Sequence, residues 1–308
     1  MKRKTTLIAA MSLLTSVSLM AQTECDRACL TGIIDSYFEG LIGNNTQGIP
    51  LAPDVRITEN GEEKSIEKTF WDEANRIAYR WDIVNSRLGD TGTECIVENE
   101  DGSYTMLMLR LKVKNNKISE LETIRVRKDN TGFLWGPEQL LNLPFSKELT
   151  QSYREADRDS YYGLIAAAES YWRAFQTTGT EAYHPANLAP DAERFENGFH
   201  TCGHLPDGTF HSAREEFDRG DYIGFNLWDR RYAVVDEERG VVLCILRFGA
   251  QDEMEDQITF PQKDGLVGEF FTVKNGMIQE IHALLFAKDD SEPTGWKTDD
   301  YGPGMGGW

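Results

Sequence analysis

Leu51-Ala-Pro-Asp-Val-Arg-Ile-Thr-Glu-Asn-Gly61 returns 137 residues later as Leu188-Ala-Pro-Asp-Ala-Glu-Arg-Phe-Glu-Asn-Gly198, with seven of eleven positions identical. That spacing far exceeds a solenoid unit of roughly 20–50 residues, so the phrase marks a small domain used twice. Leu109-Arg110 and Leu246-Arg247 keep the 137-residue spacing, while Val113-Lys114-Asn115 and Val273-Lys274-Asn275 lie 160 apart. The difference assigns about 23 additional residues to the second copy, after Arg247.

Working outward, each phrase is preceded by an apolar pattern of helical period: Ile33, Ile34, Tyr37, Phe38 and Leu41, then Leu164, Ala168, Tyr171, Trp172 and Phe175. Within the phrase, Pro breaks the helix and Asn-Gly is a strong hairpin turn. A second helix is expected over Ser65 to Arg80. Tyr104 to Val113 then alternates as a strand, with Leu107, Leu109, Leu111 and Val113 on one face. Asn115-Asn116 turns it, and Ile118 to Arg127 returns. The second half repeats the plan with Tyr232 to Asp236, Val241 to Phe248, Glu269 to Val273, the Asn275-Gly276 turn and Met277 to Ala287. Helices followed by a run of antiparallel strands give an α+β domain.

The first 21 residues read as a secretory signal peptide: a basic Lys2-Arg3-Lys4 start, an apolar core from Leu7 to Met20, and Ala21 as cleavage point. The expected location is periplasmic or secreted. The mature organisation is 22–130 first domain, 131–160 linker, 161–296 second domain and 297–308 disordered Gly-rich tail. Leu134, Trp135, Leu140, Leu141 and Leu143 are linker anchors expected to be buried. Without the leader the formal charge moves from −19 to −22. Such an acidic chain lacks the basic patches that nucleic acid or anionic membrane surfaces require. The expected assembly is a monomer of two internally packed domains or a weak dimer. Of five cysteines, Cys25 is expected to pair with Cys95, with Cys202 and Cys244 as a further pair.

Arg56-Ile-Thr-Glu-Asn-Gly61, Arg110-Leu-Lys-Val113 with Ile118-Ser-Glu-Leu-Glu122, Arg194-Phe-Glu-Asn-Gly198, Arg230-Arg-Tyr-Ala-Val-Val-Asp-Glu-Glu-Arg-Gly240 and Pro293-Thr-Gly-Trp296 carry a family likeness. On them the chain resembles the SnoaL-like, ketosteroid-isomerase-like cone family, and more closely an uncharacterised family of secreted proteins with this cone doubled. The resemblance implies two fused cone-shaped domains, each with helices packed against a curved antiparallel sheet around a cavity. It also implies a carboxylate general base near the Glu-Asn-Gly turn, at Glu59 or Glu196. Cone folds host isomerases, dehydratases, cyclases and non-catalytic binders, so the likeness alone selects no reaction.

Glu59 and Glu196 occupy matching places beside the turns, where a Glu also serves as a plain turn residue or pairs with Arg56 or Arg194. Ile118, Glu120, Glu122, Ile124 and Val126 share one strand face, and Ile278, Glu280, His282, Leu284 and Phe286 the matching one. Acids and a histidine among apolar residues fit either a half-polar pocket wall or a face that meets solvent or the other half through salt bridges. Arg230-Arg231 suit a carboxylate clamp or solvated turn charges. His200-Thr-Cys-Gly-His204, with Asp207 and His211, is a His/Cys set of the kind that binds zinc or copper. It lacks a recognised metal spacing, and the reading adopted is a polar loop with no metal.

No phosphate loop, nucleophile elbow or zinc-protease motif occurs, so no cofactor is expected. The reading is a cofactor-independent acid–base enzyme of isomerase, dehydratase or lyase type, acting on a small apolar or cyclic substrate. Glu196 and His282 are base and acid in one cavity, Arg194 orients a substrate oxygen, and Glu59 acts in the first half. Residues 249–271, with Phe260-Pro261, are expected to lid the second cavity. The alternative is a non-catalytic small-ligand-binding or interaction protein built from two cone domains.

Overall fold

The computed structural model describes residues 25–71, 73–250, 264–288 and 295–296. The expected signal peptide and Gly-rich tail lie outside these residues. No helix among the described residues is long and apolar enough to cross a membrane.

Each half begins with one long helix. In α1 (Arg27–Ile42), Asp26 caps the N-terminus by accepting from the Cys29 amide at 2.9 Å, and Leu30, Ile33, Ile34, Tyr37, Phe38 and Leu41 are buried. In α4 (Tyr161–Thr177), Ser160 caps, and Leu164, Ala167, Ala168, Tyr171 and Trp172 are buried. These stripes follow the 3.6-residue period, and each packs on one face of its own sheet.

The first half contributes β1 (Leu51–Glu59), β2 (Glu62–Glu63), β3 (Ala74–Asn85), β4 (Asp90–Asn99), β5 (Tyr104–Lys114) and β6 (Lys117–Val126), in the sheet order β2-β1-β6-β5-β4-β3. The second contributes β7 (Leu188–Glu196), β8 (Phe199–His204), β9 (Phe210–His211), β10 (Phe225–Asp236), β11 (Val241–Ala250), β12 (Gly265–Lys274) and β13 (Met277–Ala287). Read from its other edge, that sheet runs β9-β8-β7-β13-β12-β11-β10, which is the same order with one edge strand added. Both sheets are mixed rather than purely antiparallel, because β1 pairs parallel to β6 and β7 parallel to β13. The pairing shifts register after Leu51 and after Leu188, where Pro53 and Pro190 lack an amide to donate.

The Asn-Gly reading holds. Asn60-Gly61, Asn197-Gly198 and Asn275-Gly276 all have positive φ at both positions, as two-residue hairpin turns require. The Ser65–Arg80 helix does not form. Only a 3-10 turn at Ile66–Lys68 is present, and Ala74–Arg80 is already β3. Alternate residues there, Tyr79, Trp81 and Ile83, are buried together, so the period-2 pattern outweighed helix propensity. In the second half a helix does occupy this stretch, α5 (Ala213–Arg219).

Offsets between matching strands relocate the additional residues. The offset is 137 from Leu51 to Leu188, 151 from Ala74 to Phe225, and 160 from Lys114 to Lys274. Fourteen of the additional residues therefore lie between β7 and β10, where they build β9 and α5, and nine lie between β11 and β12. Leu109-Arg110 and Leu246-Arg247 are thus a coincidence of spacing: β5 matches β12, not β11. Of the segment expected as a lid, 249–250 and 265–271 belong to β11 and β12, and 251–263, with Phe260-Pro261, lie outside the described residues.

The second face of each sheet meets the other sheet. Tyr79, Trp81, Ile83, Met106, Met108, Ile124 and Val126 pack on Leu243, Ile245, Leu266, Phe270 and Leu284. Gly268 permits close approach, since a Cβ there would lie 3.1 Å from Met108. The linker segment carries α2 (Pro137–Leu141) and α3 (Lys147–Thr150). Leu140 and Leu149 are buried on the rim of this interface, and Trp81 donates its indole N–H to the Leu149 carbonyl at 2.8 Å. Leu134 and Leu143, expected as buried anchors, are exposed.

Two buried ion clusters cross the interface. Arg231 from β10 grips Glu122 of β6 through two bonds of 2.5 and 3.1 Å, and Arg110 lies 3.5 Å from the same carboxylate. His282 Nδ1 lies 2.7 Å from Glu94 of the first half, and its Nε2 lies 2.9 Å from Glu280. At the rim Arg27 binds Asp236 at 2.6 Å. Glu122 and His282 on the charged face of β6 and β13 are therefore buried and tie the halves together, while Glu120 is partly exposed. Arg230 pairs with Glu169 of α4 at 2.9 Å, so both members of the expected clamp are engaged inside the protein.

Cys25 is bonded to Cys29, with Cα atoms 5.2 Å apart. This corrects the Cys25–Cys95 expectation: Cys95 lies fully buried in the first core as a free thiol, while Cys29 follows one helical turn after Cys25. Cys202 and Cys244 are also free and buried.

Burial would lower the His282 pKa, but Glu94 and Glu280 outweigh it and raise it from 6.5 to about 10. Stabilisation from its charge is complete below about pH 6.5 and is lost as pH rises through about 10. His282→Ala strands two buried carboxylates and should cost about 3–5 kcal/mol at pH 6, falling as the pH approaches 10. Urea unfolding across that range measures this, and a pH-independent loss below about 1 kcal/mol would refute the assignment. Residues 22–150 and 155–308, co-expressed as separate chains, should co-purify as a complex. Two stable pieces that never associate would contradict the interface.

Candidate functional site

The turn phrase fixes the position of Glu196. Asn197 accepts the Leu285 amide at 2.8 Å and donates to the Leu285 and Leu134 carbonyls, both at 3.1 Å. Asn60 does the same in the first half, accepting the Arg125 amide at 2.7 Å and donating to the Arg125 carbonyl at 3.1 Å. The repeated Glu-Asn-Gly is therefore a clamp between the turn and the last strand, and it places the preceding Glu on the helix-covered face.

Across that face in the second half, register aligns Glu196 with Ala283, Ala283 with Glu269, and Glu269 with Cys244. Two acids thus flank one alanine in a single row, and the small side chain leaves room between them. Glu196, Glu269 and Ala283 line a cavity of about 80 Å³ whose other walls include Tyr171, Trp172, Phe175, Tyr222, Phe225 and Phe248. The Glu196 side chain is 25% exposed, whereas Glu269 is 4% exposed. Burial, reinforced by the neighbouring Glu196 and opposed by Arg194, pushes the Glu269 carboxyl from 4.5 up to about 8. At neutral pH Glu269 is largely a neutral acid that can donate a hydrogen bond.

Arg194 sits beside this pair and is fully engaged. It donates to Thr201 Oγ1 at 3.0 Å and to the Tyr222 hydroxyl at 2.7 Å, lies 2.7 Å from Glu216 of α5, and is 3.9 Å from Glu196. It positions Glu196 and is not presented to a ligand, contrary to its expected role. His282 does not share the cavity. It follows Ile281 and precedes Ala283 on β13, so its side chain points to the opposite face, sealed against the first half. Glu59 is held by the Phe70 amide at 2.7 Å and Lys64 at 3.4 Å, with Arg125 3.8 Å away, and is 2% exposed. The corresponding first-half row is Glu59, Thr123, Leu109 and Thr93, with leucine where the second half has Glu269.

Of the residues singled out from the sequence, Glu196 lines this cavity; Glu269, which also lines it, was not among them. A signal existed: Glu269 is a single acid within Gly265-Leu-Val-Gly-Glu-Phe-Phe271, a run otherwise apolar or glycine. The histidine cluster divides. His200 Nε2 lies 2.5 Å from Glu193 and His204 Nδ1 3.3 Å from it, while His211 faces Glu216 at 3.6 Å.

A family model described as a domain of unknown function, DUF8021, matches residues 157–285. No curated protein sequence matches the chain. Among solved structures, a de novo designed protein with a curved β-sheet shares 18% identity over 34% of this chain and 89% of its own, with a TM-score of 0.30. A protein from Kribbella flavida assigned as a ketosteroid isomerase shares 14% over 43% of this chain and 96% of its own, at 0.28. PrhC from Penicillium brasilianum shares 7% over 32% and 82%, at 0.27. The α+β fold described above rests on the strand order and packing of this chain.

Because the folded Glu269 holds its proton up to about pH 8 and the unfolded one only to 4.5, this residue makes stability fall as pH rises between those values. Glu269→Gln should remove that slope and be more stable than the natural protein at pH 9, by up to a few kcal/mol. Paired melting curves at pH 5 and pH 9 test this, and identical slopes for both proteins would exclude a protonated Glu269.

Proposed function

We propose that the second half is a cofactor-independent acid–base catalyst of isomerase type for a small, apolar or cyclic carbonyl compound. The observation that carries this is the Glu196–Glu269 row inside an aromatic cavity, with Glu269 retaining its proton at neutral pH. Glu196, the more exposed acid, takes a proton from carbon beside the carbonyl. Glu269 gives its proton to the carbonyl oxygen as charge develops there, so a neutral enol forms while the single negative charge passes from Glu196 to Glu269. Delivery of the Glu196 proton to a different carbon, with the enol hydroxyl returning its proton to Glu269, completes an isomerisation and restores both acids. The same pair, with the proton delivered to a leaving hydroxyl, supports dehydration.

The cavity limits the substrate. At about 80 Å³ it is roughly half the ~150 Å³ of an engineered apolar cavity that holds benzene, so it takes one end of a molecule or a very small ring. Export to the periplasm or beyond remains part of the reading, on the basic-then-apolar opening of the chain.

A small cyclic enone in D₂O is a direct probe. The protein should accelerate solvent deuterium exchange beside the carbonyl, followed by proton NMR. Glu196→Gln should reduce the rate by about 10²–10⁴-fold, and Glu269→Ala should also slow it strongly. Enone binding without exchange would favour the non-catalytic ligand-binding alternative and remove the base role from Glu196.

A further inference from the structure

We infer that Cys202, His211 and Glu216 form a binding site for a zinc-like divalent cation, beside the carboxylate cavity and distinct from it. One ligand atom from each residue, the Cys202 Sγ, a His211 ring nitrogen and a Glu216 carboxylate oxygen, lies within 4.8 Å of the other two. Cys202 Sγ is 3.4 Å from Glu216 Oε1, and His211 Nε2 is 3.6 Å from the same oxygen. A tetrahedral ion with bonds of about 2.0–2.3 Å sets its ligand atoms about 3.3–3.8 Å apart, the range of these two separations.

Three features prepare the donors. His211 Nδ1 lies 3.1 Å from the Thr201 carbonyl, which can only accept, so Nδ1 carries the hydrogen. This leaves the Nε2 lone pair turned toward the cluster, the arrangement seen where a metal-bound histidine is oriented by a backbone carbonyl. Glu216 is oriented by its other oxygen, Oε2, which accepts the Tyr222 hydroxyl at 2.5 Å and lies 2.7 Å from Arg194 Nη1. Oε1 is thereby aimed at Cys202 and His211. Burial keeps Cys202 a thiol without metal, so an entering cation displaces its proton to solvent; the resulting thiolate and Glu216 then balance a divalent cation, while Arg194, 2.7 Å from Glu216, also has Glu196 3.9 Å away.

The donors come from three elements, β8, β9 and α5. β9 and α5, which supply His211 and Glu216, are built from the stretch between β7 and β10 that is fourteen residues longer than in the first half. Strand pairing of Gly203 with His211 sets that histidine next to Cys202. Thiolate, imidazole and carboxylate together select zinc or a similar borderline ion over calcium or magnesium, which take oxygen ligands. Three protein ligands match the count of sites that keep one position for water or substrate. His200 and His204, the obvious sequence candidates, are instead paired with Glu193.

The test uses the full-length protein stripped with chelator and titrated with Zn²⁺ against a chromophoric competitor, and separately with Co²⁺. One equivalent should bind, and Co²⁺ should produce a thiolate charge-transfer band in the near ultraviolet. Cys202→Ser should abolish that band. His211→Ala, at a half-buried position that should leave the fold intact, should weaken Zn²⁺ binding by more than about 100-fold, beyond the effect of losing a mere outer partner. His204→Ala should bind as the natural protein does. Absence of the Co²⁺ band, unchanged affinity in His211→Ala, or loss of binding in His204→Ala would each overturn the site. Enone exchange measured on the metal-free protein reports on Glu196 and Glu269 alone, so either proposal can fail without the other.

Discussion

The constraint on which the structure depends is the burial of charge between two sheets packed face to face. The interface is largely apolar, and an apolar interface of this kind tolerates sliding. Arg231–Glu122 and Glu94–His282–Glu280 do not, because displacing either pair strands a charge away from water. Both clusters take an acid from the first half and a cation from the second: Glu122 of β6 meets Arg231 of β10, and Glu94 of β4 meets His282 of β13. With both sheets fixed in this way, each is left one free face, and each covers it with a helix.

That division sorts the polar side chains. Side chains on β6 and β13 alternate between the interface and the helix-covered face, so Glu122 and His282 are spent on cohesion while Ala283 and its row neighbours Glu196 and Glu269 line the aromatic cavity. The two halves share one strand order but differ at matching places along this row. Leu109 stands where Glu269 does, Thr123 where Ala283 does, and Arg125, which approaches Glu59, where Leu285 lines the cavity. In the first half the turn glutamate is neutralised by Lys64 and Arg125 and closed over by Phe70. In the second it is left at the mouth of an aromatic cavity with a second acid behind it. The added β9 and α5 brace this arrangement, since Glu216 and Tyr222 hold the Arg194 that lies against Glu196.

What the sequence by itself determined was local. The Asn-Gly turns, the opening helices and the alternation of Leu107, Leu109 and Leu111 were legible because positive φ, helical period and strand period are written in adjacent residues. The repeated Glu-Asn-Gly was legible as a turn beside the last strand, because its asparagine makes the same clamp in both halves. The tertiary structure decided everything that depends on which face meets what. Period-2 alternation groups Glu280 with His282 but is silent on whether that group faces a cavity, water or another sheet, and both faces of each sheet here are buried. It also decided the 65–80 stretch, where burial of Tyr79 and Trp81 against the other half outweighed helix propensity, and the cysteines, where Cys95 is enclosed by the first core. Glu269 was readable only as an oddity in an apolar strand. Its proton affinity comes from aromatic walls supplied by α4, β10 and β11 and from Glu196 two strands away, and no stretch of contiguous sequence contains that environment.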